Sequence, residues 1–350
     1  MTSRRAPAVK GSRQVKSESH HEPAISAPTP LADCWFLTGP TASGKTAVGL
    51  ELARRLNADI FSLDSMAVYR GLDIGTAKPS PDERGQVPHH LIDLVEPDQD
   101  FSLAQYVAAA ETVAAEVRDR GREVLFVGGT PLYLKALLRG IFAGPPADWE
   151  FRRRRLAEAE QHGPDWLHAR LVEVDPVAAQ RLHARDVRRV VRALEVMEKT
   201  GRPISDWQQQ FDRARPASAC RAFVLDWPRD ELYRRIDARV EAMFAAGLVD
   251  EVRGLLASGK RLSRTARQAL GYREVLEHLD GRQPLADTIE RVKTRTRQFA
   301  KRQLTWFRSL SECRWVKAEP GVTGTSLADE ITRASDAGGM PNATTTGKST

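Results

Sequence analysis

The fold of this chain is set by Leu37–Ser65, which reads LTGPTASGKTAVGLELARRLNADIFSLDS and contains a phosphate-binding loop. Gly39–Thr46 matches the pattern G-x-x-x-x-G-K-[ST] in full. The apolar run CWFLTG leads into this loop, TAVGLELARRLN follows it with helical spacing, and ADIFSLDS predicts a second buried strand that ends at Asp64. Strand, loop and helix is the context in which such a loop binds phosphate, because its backbone N–H groups and the helix N-terminus face one anion.

The remaining strand and helix patterns extend this unit into a parallel sheet. Residues 101–121 predict an amphipathic helix, EVLFVGGT at 123–130 predicts a third strand, and RAFVLDW at 221–227 predicts a further strand that returns to the sheet. Strands that alternate with helices of this length indicate an α/β fold, a P-loop NTPase-like parallel sheet with flanking helices. Ligands of such sheets bind beyond the carboxyl ends of the strands, where Asp64 and Thr130 are expected to meet the loop.

The chain divides into four predicted segments. Residues 33–137 and 217–317 form the catalytic α/β core, and residues 138–216, which have no strand-like run, form an all-helical insertion domain. The core also contains predicted helices at 229–247, 248–259 and 285–310. Residues 1–32 are polar and rich in Pro and Ser, which predicts a disordered extension, and residues 318–350 are expected to form a short helix and a disordered tail.

Composition excludes several classes of protein. No apolar run reaches the roughly 18 residues that span a bilayer, so no membrane association is expected. The cysteines Cys34, Cys220 and Cys313 are odd in number and far apart, with neither zinc-site spacing nor a disulfide framework, which indicates a reducing cytoplasm. The net charge of +7 is compatible with a polyanionic partner.

The loop predicts an anion site with a magnesium ion. All eight of its residues are candidates for binding the ligand: Gly39, Pro40, Thr41, Ala42, Ser43, Gly44, Lys45 and Thr46. Lys45 supplies a point charge, and the Thr46 hydroxyl can hold a Mg²⁺ that bridges phosphate oxygens. The pattern alone does not name the substrate, because kinases, hydrolases and other enzymes share it.

Asp64 leaves two roles open. A carboxylate at a strand end beside such a loop can hold Mg²⁺ through water, or it can act as a general base for an incoming nucleophile. The strand EVLFVGGT ends in Gly128-Gly129-Thr130, with no carboxylate where a phosphotransfer enzyme usually places charged groups. The sequence therefore offers a hydroxyl, Thr130, at that strand end.

Seven motifs in order resemble the tRNA dimethylallyltransferases, from about Phe36 to Trp315. They are GPTASGKT, DSMAVYRGLDIGTAKP, PHHLIDLVEP, LFVGGTPLYLKALLRG, RALEV, RQALGYRE and RQFAKRQLTWFR. The resemblance implies that the loop binds the diphosphate of dimethylallyl diphosphate rather than ATP. It also implies transfer of the prenyl group to N6 of the adenine on the 3′ side of the anticodon, by a monomer that releases diphosphate.

The resemblance assigns roles to individual residues. Asp64 matches the catalytic aspartate that accepts the N6 proton, Thr130 matches a threonine at the junction of the two substrates, and Arg239 matches an arginine of the diphosphate site. Arg235, one helical turn earlier, is the alternative to Arg239. Both arginines could instead form surface salt bridges.

Contacts with the anticodon stem-loop are expected from several segments. The resemblance places Asp64, Ser65, Met66 and Ala67 against the flipped base, and Gln268, Gly271 and Tyr272 beside the anticodon loop. Basic runs add backbone contacts, or are solvated helix faces; the candidates are Arg152, Arg188, Arg189, Arg192, Arg297 and Lys301. Trp306 and Phe307 lie in an apolar stripe and are predicted to be core. Unlike some eukaryotic relatives, the chain has no Cys-x2-Cys finger, so no zinc is expected.

Other functions use parts of the same sequence. A small-molecule kinase would share the loop and Asp64 but needs an ATP-binding lid. An adenylate isopentenyltransferase would use the same prenyl donor without the basic insertion. A non-enzymatic RNA-binding module would not need the intact loop.

Overall fold

The structure, a computed structural model, describes residues 31–142, 144–208, 214–257, 259 and 261–336. Most of the two predicted disordered segments, residues 1–30 and 337–350, lie outside the described residues. Leu31 and Ala32, which the sequence placed in the N-terminal extension, are each only 1% exposed. Arg215 Nη1 donates a hydrogen bond to the Ala32 carbonyl at 3.3 Å, so the packed part of the chain includes these two residues.

Within the described residues the strands form a six-stranded parallel sheet in the order β3-β2-β4-β1-β5-β6. The strands are β1 (Trp35–Thr38), β2 (Ala58–Leu63), β3 (His89–His90), β4 (Glu123–Gly128), β5 (Arg221–Asp226) and β6 (Cys313–Lys317). Thr38 of β1 and Leu63 of β2 both lie level with Gly128 of β4. The strands therefore end at one edge, and the predicted α/β fold is confirmed.

The helices cover both faces of the sheet and form the insertion. They are α1 (Lys45–Leu56), α2 (Pro81–Gln86), α3 (Leu103–Asp119), α4 (Pro131–Arg139), α5 (Trp149–His162), α6 (Pro164–Val174), α7 (Pro176–Arg181), α8 (Val187–Thr200), α9 (Ile204–Trp207), α10 (Arg229–Ala245), α11 (Leu248–Ala257), α12 (Arg264–Arg267), α13 (Tyr272–Leu279), α14 (Leu285–Arg308) and α15 (Gly324–Asp336). Capping residues mark the N-termini of several of these helices. Ser102, for example, forms a capping box with Gln105 at the beginning of α3.

Alternating residues of the central strands point to two hydrophobic clusters. Phe36 and Phe126 stack at 5.1 Å between ring centroids on one face of the sheet, whereas Trp35 and Leu125 pack on the other. Both faces are covered, which explains why these strands read as continuous apolar runs rather than alternating ones.

The strand β6 was not predicted. Its sequence, CRWVK, carries Arg314 and Lys317, and it follows the long helix α14 directly. The strand lies at the edge of the sheet, where only β5 pairs with it, so polar side chains are tolerated there. The helix predicted after it is α15, which buries Leu327, Ala328 and Ile331.

The helices α5–α9 pack around a cluster of their own, which contains Phe151, Leu167, Leu171 and Val190. A carboxylate lies buried beside this cluster: Glu195 of α8 is 0% exposed and accepts hydrogen bonds from Arg152 at 2.7 Å and Arg192 at 2.5 Å. Burial raises the pKa of Glu195, but the two guanidinium groups outweigh this effect and hold it below its usual value.

Replacing Glu195 with glutamine should lower the free energy of unfolding by roughly 1–3 kcal/mol, because the charge-assisted hydrogen bonds are lost while both arginines stay in place. Urea denaturation followed by circular dichroism measures this change. Glu198→Gln, an exposed position on the same helix, is the matched control and should stay within about 0.5 kcal/mol of the wild type. Equal stability of the two variants would contradict a structural role for Glu195.

Candidate active site

A cavity of about 650 Å³ lies at the carboxyl ends of β1, β2 and β4. The predicted site residues that line it are Thr41, Ala42, Ser43, Gly44, Lys45, Thr46, Asp64, Ser65, Met66, Ala67, Thr130, Arg239, Gln268 and Gly271. The structure thus brings the loop, the end of β2 and the end of β4 around one space.

The phosphate-binding loop turns sharply before α1. Gly44 has φ +82° and precedes Lys45, the first residue of the helix, so a residue with a side chain would be strained at this position. The outer side of the loop is braced by side chains: Trp227 Nε1 donates to the Ser43 carbonyl at 2.9 Å, and Arg235 Nε donates to the Ala42 carbonyl at 2.9 Å. The loop is therefore preorganised by contacts from distant parts of the chain.

Lys45 lies at the mouth of the loop among polar atoms. Its Nζ donates hydrogen bonds to the carbonyl oxygens of Gly39 at 3.0 Å and Pro40 at 2.7 Å. Burial, and secondly the positive charge of Arg239, lower the pKa of Lys45 to about 7, although the charge of Asp64 acts in the opposite direction. An anion in the cavity would favour the protonated form, so the site is suited to a ligand of high negative charge.

Binding of an anionic diphosphate should therefore take up a proton at Lys45. With a pKa of about 7 in the free chain, Lys45 is mostly neutral at about pH 8, and binding there should take up at most one proton. Affinity should then weaken as the pH rises above about 7, because the bound form carries more protons than the free one. Titration calorimetry in two buffers of different ionisation enthalpy measures the uptake. Lys45→Arg, which stays charged, should take up less; equal uptake by both chains would contradict the assignment.

Asp64 and Thr130 are held together at the neighbouring strand ends. Asp64 Oδ1 accepts a hydrogen bond from the Met66 backbone N–H at 2.8 Å, which fixes the carboxylate at the turn after β2. Thr130 Oγ1 accepts from the Ser65 N–H at 3.1 Å, and its own N–H donates to the Leu63 carbonyl at 3.1 Å. The two side chains line the same cavity.

Of the two arginines proposed for the anion site, Arg239 lines the cavity. Its Nε is buried and has no hydrogen-bond partner among the described residues, and burial lowers the pKa of its guanidinium. Arg235 contacts the loop from outside, with its guanidinium 4.2 Å from the centroid of the Trp227 ring. Arg239 is thus placed to meet a bound anion, whereas Arg235 braces the loop that would hold it.

The residues around Thr46 fit a magnesium ion that arrives with its ligand. Thr46 lies in the first turn of α1, is exposed and lines the cavity. In the part of the chain that the structure describes, no group of three or more His, Cys, Asp or Glu side chains could hold a metal. Mg²⁺ commonly takes one or two protein oxygens and completes its shell with phosphate oxygens and water, so Thr46 suits it.

Comparison with known protein families agrees with this geometry. Residues 67–310 match the family model described as IPP transferase. This chain belongs to the IPP transferase family. The resemblance drawn from the seven motifs is confirmed.

Individual relatives of the family match most of the chain. The chain is 49% identical over 290 residues to a tRNA dimethylallyltransferase of Rhodopirellula baltica, a match that covers 81% of this chain and 87% of the relative. It is 48% identical over 282 residues to one of Geobacter metallireducens, covering 81% and 91%.

Solved structures of the family share the fold. The tRNA isopentenylpyrophosphate transferase of Bacillus halodurans superposes with a TM-score of 0.64 and 36% identity, covering 88% of this chain and 97% of that one. A eukaryotic dimethylallyltransferase described as acting on tRNA superposes with a TM-score of 0.67 and 28% identity, covering 87% of this chain and 77% of that one.

The residues that the family resemblance assigned to tRNA separate into two groups. Gln268 and Gly271 line the cavity, but Tyr272, also expected beside the anticodon loop, does not. Tyr272 is 1% exposed and its hydroxyl donates to Glu251 at 2.5 Å. Glu251 also accepts hydrogen bonds from the backbone N–H groups of Asp73 and Ile74, so this pair braces the loop after β2.

The basic candidates lie outside the cavity lining and differ in exposure. Arg188, Arg189 and Lys301 are exposed. Arg152 and Arg192 bind Glu195, and Arg297 forms hydrogen bonds with Asp237 at 2.7 and 2.8 Å. Their contacts with tRNA stay predictions. Phe307 is buried as expected, whereas Trp306 is 42% exposed and the prediction that it belongs to the core was wrong.

Several cavity residues were not predicted. The helices α13 and α14 contribute Arg273, Glu274, Arg295, Phe299, Arg302 and Gln303. Buried Glu274 accepts hydrogen bonds from Arg273 and Arg295, which aligns both arginines in the wall. Arg295, Phe299 and Arg302 have the spacing i, i+4, i+7, which places them on one helix face. That spacing, inside a segment already singled out as a motif, was the signal that could have identified them.

Proposed function

We propose that this chain transfers a dimethylallyl group from dimethylallyl diphosphate to N6 of the adenine on the 3′ side of a tRNA anticodon. The observation that carries this proposal is the common cavity of the phosphate-binding loop, Arg239, Asp64 and Thr130. It combines a cationic site for a leaving group with a carboxylate and a hydroxyl for an incoming nucleophile. Membership of the IPP transferase family and relatives named tRNA dimethylallyltransferase support the proposal.

The chemistry requires a cationic pocket and a proton acceptor. The N6 lone pair is delocalised into the purine ring, so the amine is a poor nucleophile and needs a good leaving group. The bond between N6 and C1 of the prenyl group forms as the bond between C1 and the diphosphate oxygen breaks, and that electron pair leaves with diphosphate. Loop amides, Lys45 and Arg239 are placed to stabilise the charge that develops on the leaving oxygen.

Asp64 acts on the acceptor side of the reaction. Its carboxylate takes the proton that N6 loses, while the hydrogen bond from Met66 N holds the carboxylate in place. The Thr130 hydroxyl accepts from Ser65 N, which leaves its own O–H free to donate into the cavity. A bound Mg²⁺, held by Thr46, would supply further positive charge at the diphosphate.

The acceptor adenine has to leave its stack to reach this cavity. We infer that the segment Asp64–Ala67, together with Gln268 and Gly271, surrounds the extruded base. We propose that Arg188, Arg189 and Lys301, which are exposed, contact phosphates of the stem-loop, and such contacts would make binding salt-dependent. A monomer is proposed, as the family resemblance implies.

The cytoplasm is the proposed compartment, because Cys34, Cys220 and Cys313 are buried and free. No helix within the described residues is long and apolar enough to cross a membrane.

An assay with competing acceptors tests the function. The chain is mixed with prenyl-labelled dimethylallyl diphosphate and either unmodified tRNA or AMP, and separately with γ-labelled ATP. Label in the tRNA, at the adenine beside the anticodon, is the expected result. Label in AMP would instead indicate an adenylate isopentenyltransferase, and transfer of the γ-phosphate would indicate a kinase.

A further inference from the structure

The side chain of Gln303 joins the phosphate-binding loop to the end of β4. It lies on α14 and is only 3% exposed. Its Oε1 accepts a hydrogen bond from the Thr41 backbone N–H at 2.9 Å, and its Nε2 donates one to the Gly129 carbonyl at 2.6 Å. Both ends of one amide are therefore used, and each binds a different segment of the active site.

These two segments serve different substrates in the proposed reaction. Thr41 belongs to the loop that holds the diphosphate, whereas Gly129 directly precedes Thr130 on the acceptor side. Thr130 in turn holds the backbone of Ser65, the neighbour of Asp64. Three hydrogen bonds, joined by the peptide links from Gly129 to Thr130 and from Ser65 to Asp64, thus connect the donor site through Gln303 to the general base.

The glycine at position 129 is explained by the same contact. A Cβ atom added at Gly129 would lie 2.6 Å from Gln303 Nε2 and 3.2 Å from the Gly39 carbonyl oxygen. The amide of Gln303 therefore occupies the space that a side chain at position 129 would need. Gly129 and Gln303 fit each other. Because position 129 has no side chain, the Gln303 amide can approach the backbone there and donate to the Gly129 carbonyl.

We propose that Gln303 is a positioning residue that sets the distance and angle between the leaving diphosphate and the Asp64–Thr130 edge. The inference rests on the proposed function. In-line attack needs the amine and C1 about 3–3.5 Å apart and aligned, and a misplacement of about 1 Å can lower the rate about 10²-fold. Glutamine suits this position because one neighbour is a donor and the other an acceptor. Glutamate cannot donate to Gly129, and methionine can bond to neither strongly.

Steady-state kinetics of Gln303→Met and Gln303→Glu test the proposal. We expect kcat to fall about 10–100-fold in both. In Gln303→Met the dissociation constants of tRNA and of a non-reactive donor analogue should stay within about threefold of the wild type, because each half-site remains intact. A structural role alone would lower the midpoint of thermal unfolding and leave the kcat of the folded fraction unchanged. Wild-type kcat in the folded variants would overturn the proposal. So would equally weakened affinities for tRNA and for the donor analogue without a loss in kcat.

A double-mutant cycle removes the dependence on any single variant. Gly129→Ala should lower kcat strongly in the wild-type chain, because its methyl group displaces the amide, and much less in a Gln303→Ala background, where that space is open. Additive effects would contradict the inference. If Gln303→Met does not fold, Gln303→Glu and the cycle decide. Failure of the proposed function is distinguishable, since the wild-type chain would then transfer no prenyl group to tRNA at all.

Discussion

Replacing Asp64 with asparagine should lower kcat for prenyl transfer by about 10²–10⁴-fold, the usual size of a general-base effect. Asparagine keeps a side-chain oxygen that can accept the hydrogen bond from Met66 N, so the turn after β2 should persist. What the substitution removes is the negatively charged oxygen that takes the proton from N6. Single-turnover kinetics with prenyl-labelled donor measure the chemical step without interference from product release.

The affinity for tRNA separates catalysis from binding in this variant. The dissociation constant of unmodified tRNA for Asp64→Asn should stay within about threefold of the wild type. Asp98→Asn, at an exposed position outside the cavity, is the matched control and should retain full activity. A loss of tRNA affinity that accounts for the whole loss of kcat/KM would show that Asp64 binds the acceptor rather than accepting its proton.

Replacing Lys45 with alanine should lower kcat/KM for dimethylallyl diphosphate by about 10²–10³-fold, since one preorganised charge on the leaving group is removed. The same change should weaken inhibition by inorganic diphosphate, because the free product occupies the same loop. Lys45 lies beside the loop carbonyls and near Arg239, and Arg239 stays in the cavity lining after the change.

A control on the neighbouring helix checks that this effect is local. Arg234→Ala removes a charge from α10, but Arg234 is 72% exposed in its side chain and pairs with Glu231. We expect no more than a twofold change in its kcat/KM, roughly the scale of surface substitutions. Prenyl transfer by Lys45→Ala at the wild-type rate would show that the loop does not hold the donor's diphosphate.

The phosphate-binding loop and the two strand ends of the site could be predicted from the sequence because their signals are local. Gly39–Thr46 are consecutive residues, and the strand ends at Asp64 and Thr130 follow directly from apolar runs. A parallel sheet brings such ends to one edge whatever the rest of the chain does, so the meeting of these residues could be predicted.

Long-range contacts could not be predicted in this way. Gln303 lies 262 residues from Thr41, and its position in the helix α14 does not show which distant backbone groups it binds. The basic runs show that the sequence also does not reveal which charged residues form internal ion pairs. Arg152 and Arg192 look like surface charges in the sequence, but in the fold both form hydrogen bonds with buried Glu195. Which arginine pairs internally is decided by tertiary packing rather than by spacing.

The fate of a doubly labelled donor gives the most direct test of whether the loop holds a diphosphate that leaves. Dimethylallyl diphosphate carries one label in the prenyl carbon and another in the phosphate, and the chain is given unmodified tRNA. Our interpretation predicts carbon label at N6 of the adenine beside the anticodon and an equal amount of phosphate label released as intact diphosphate. Phosphate label in the RNA, or release of the label as single phosphates without transfer of carbon, would contradict it.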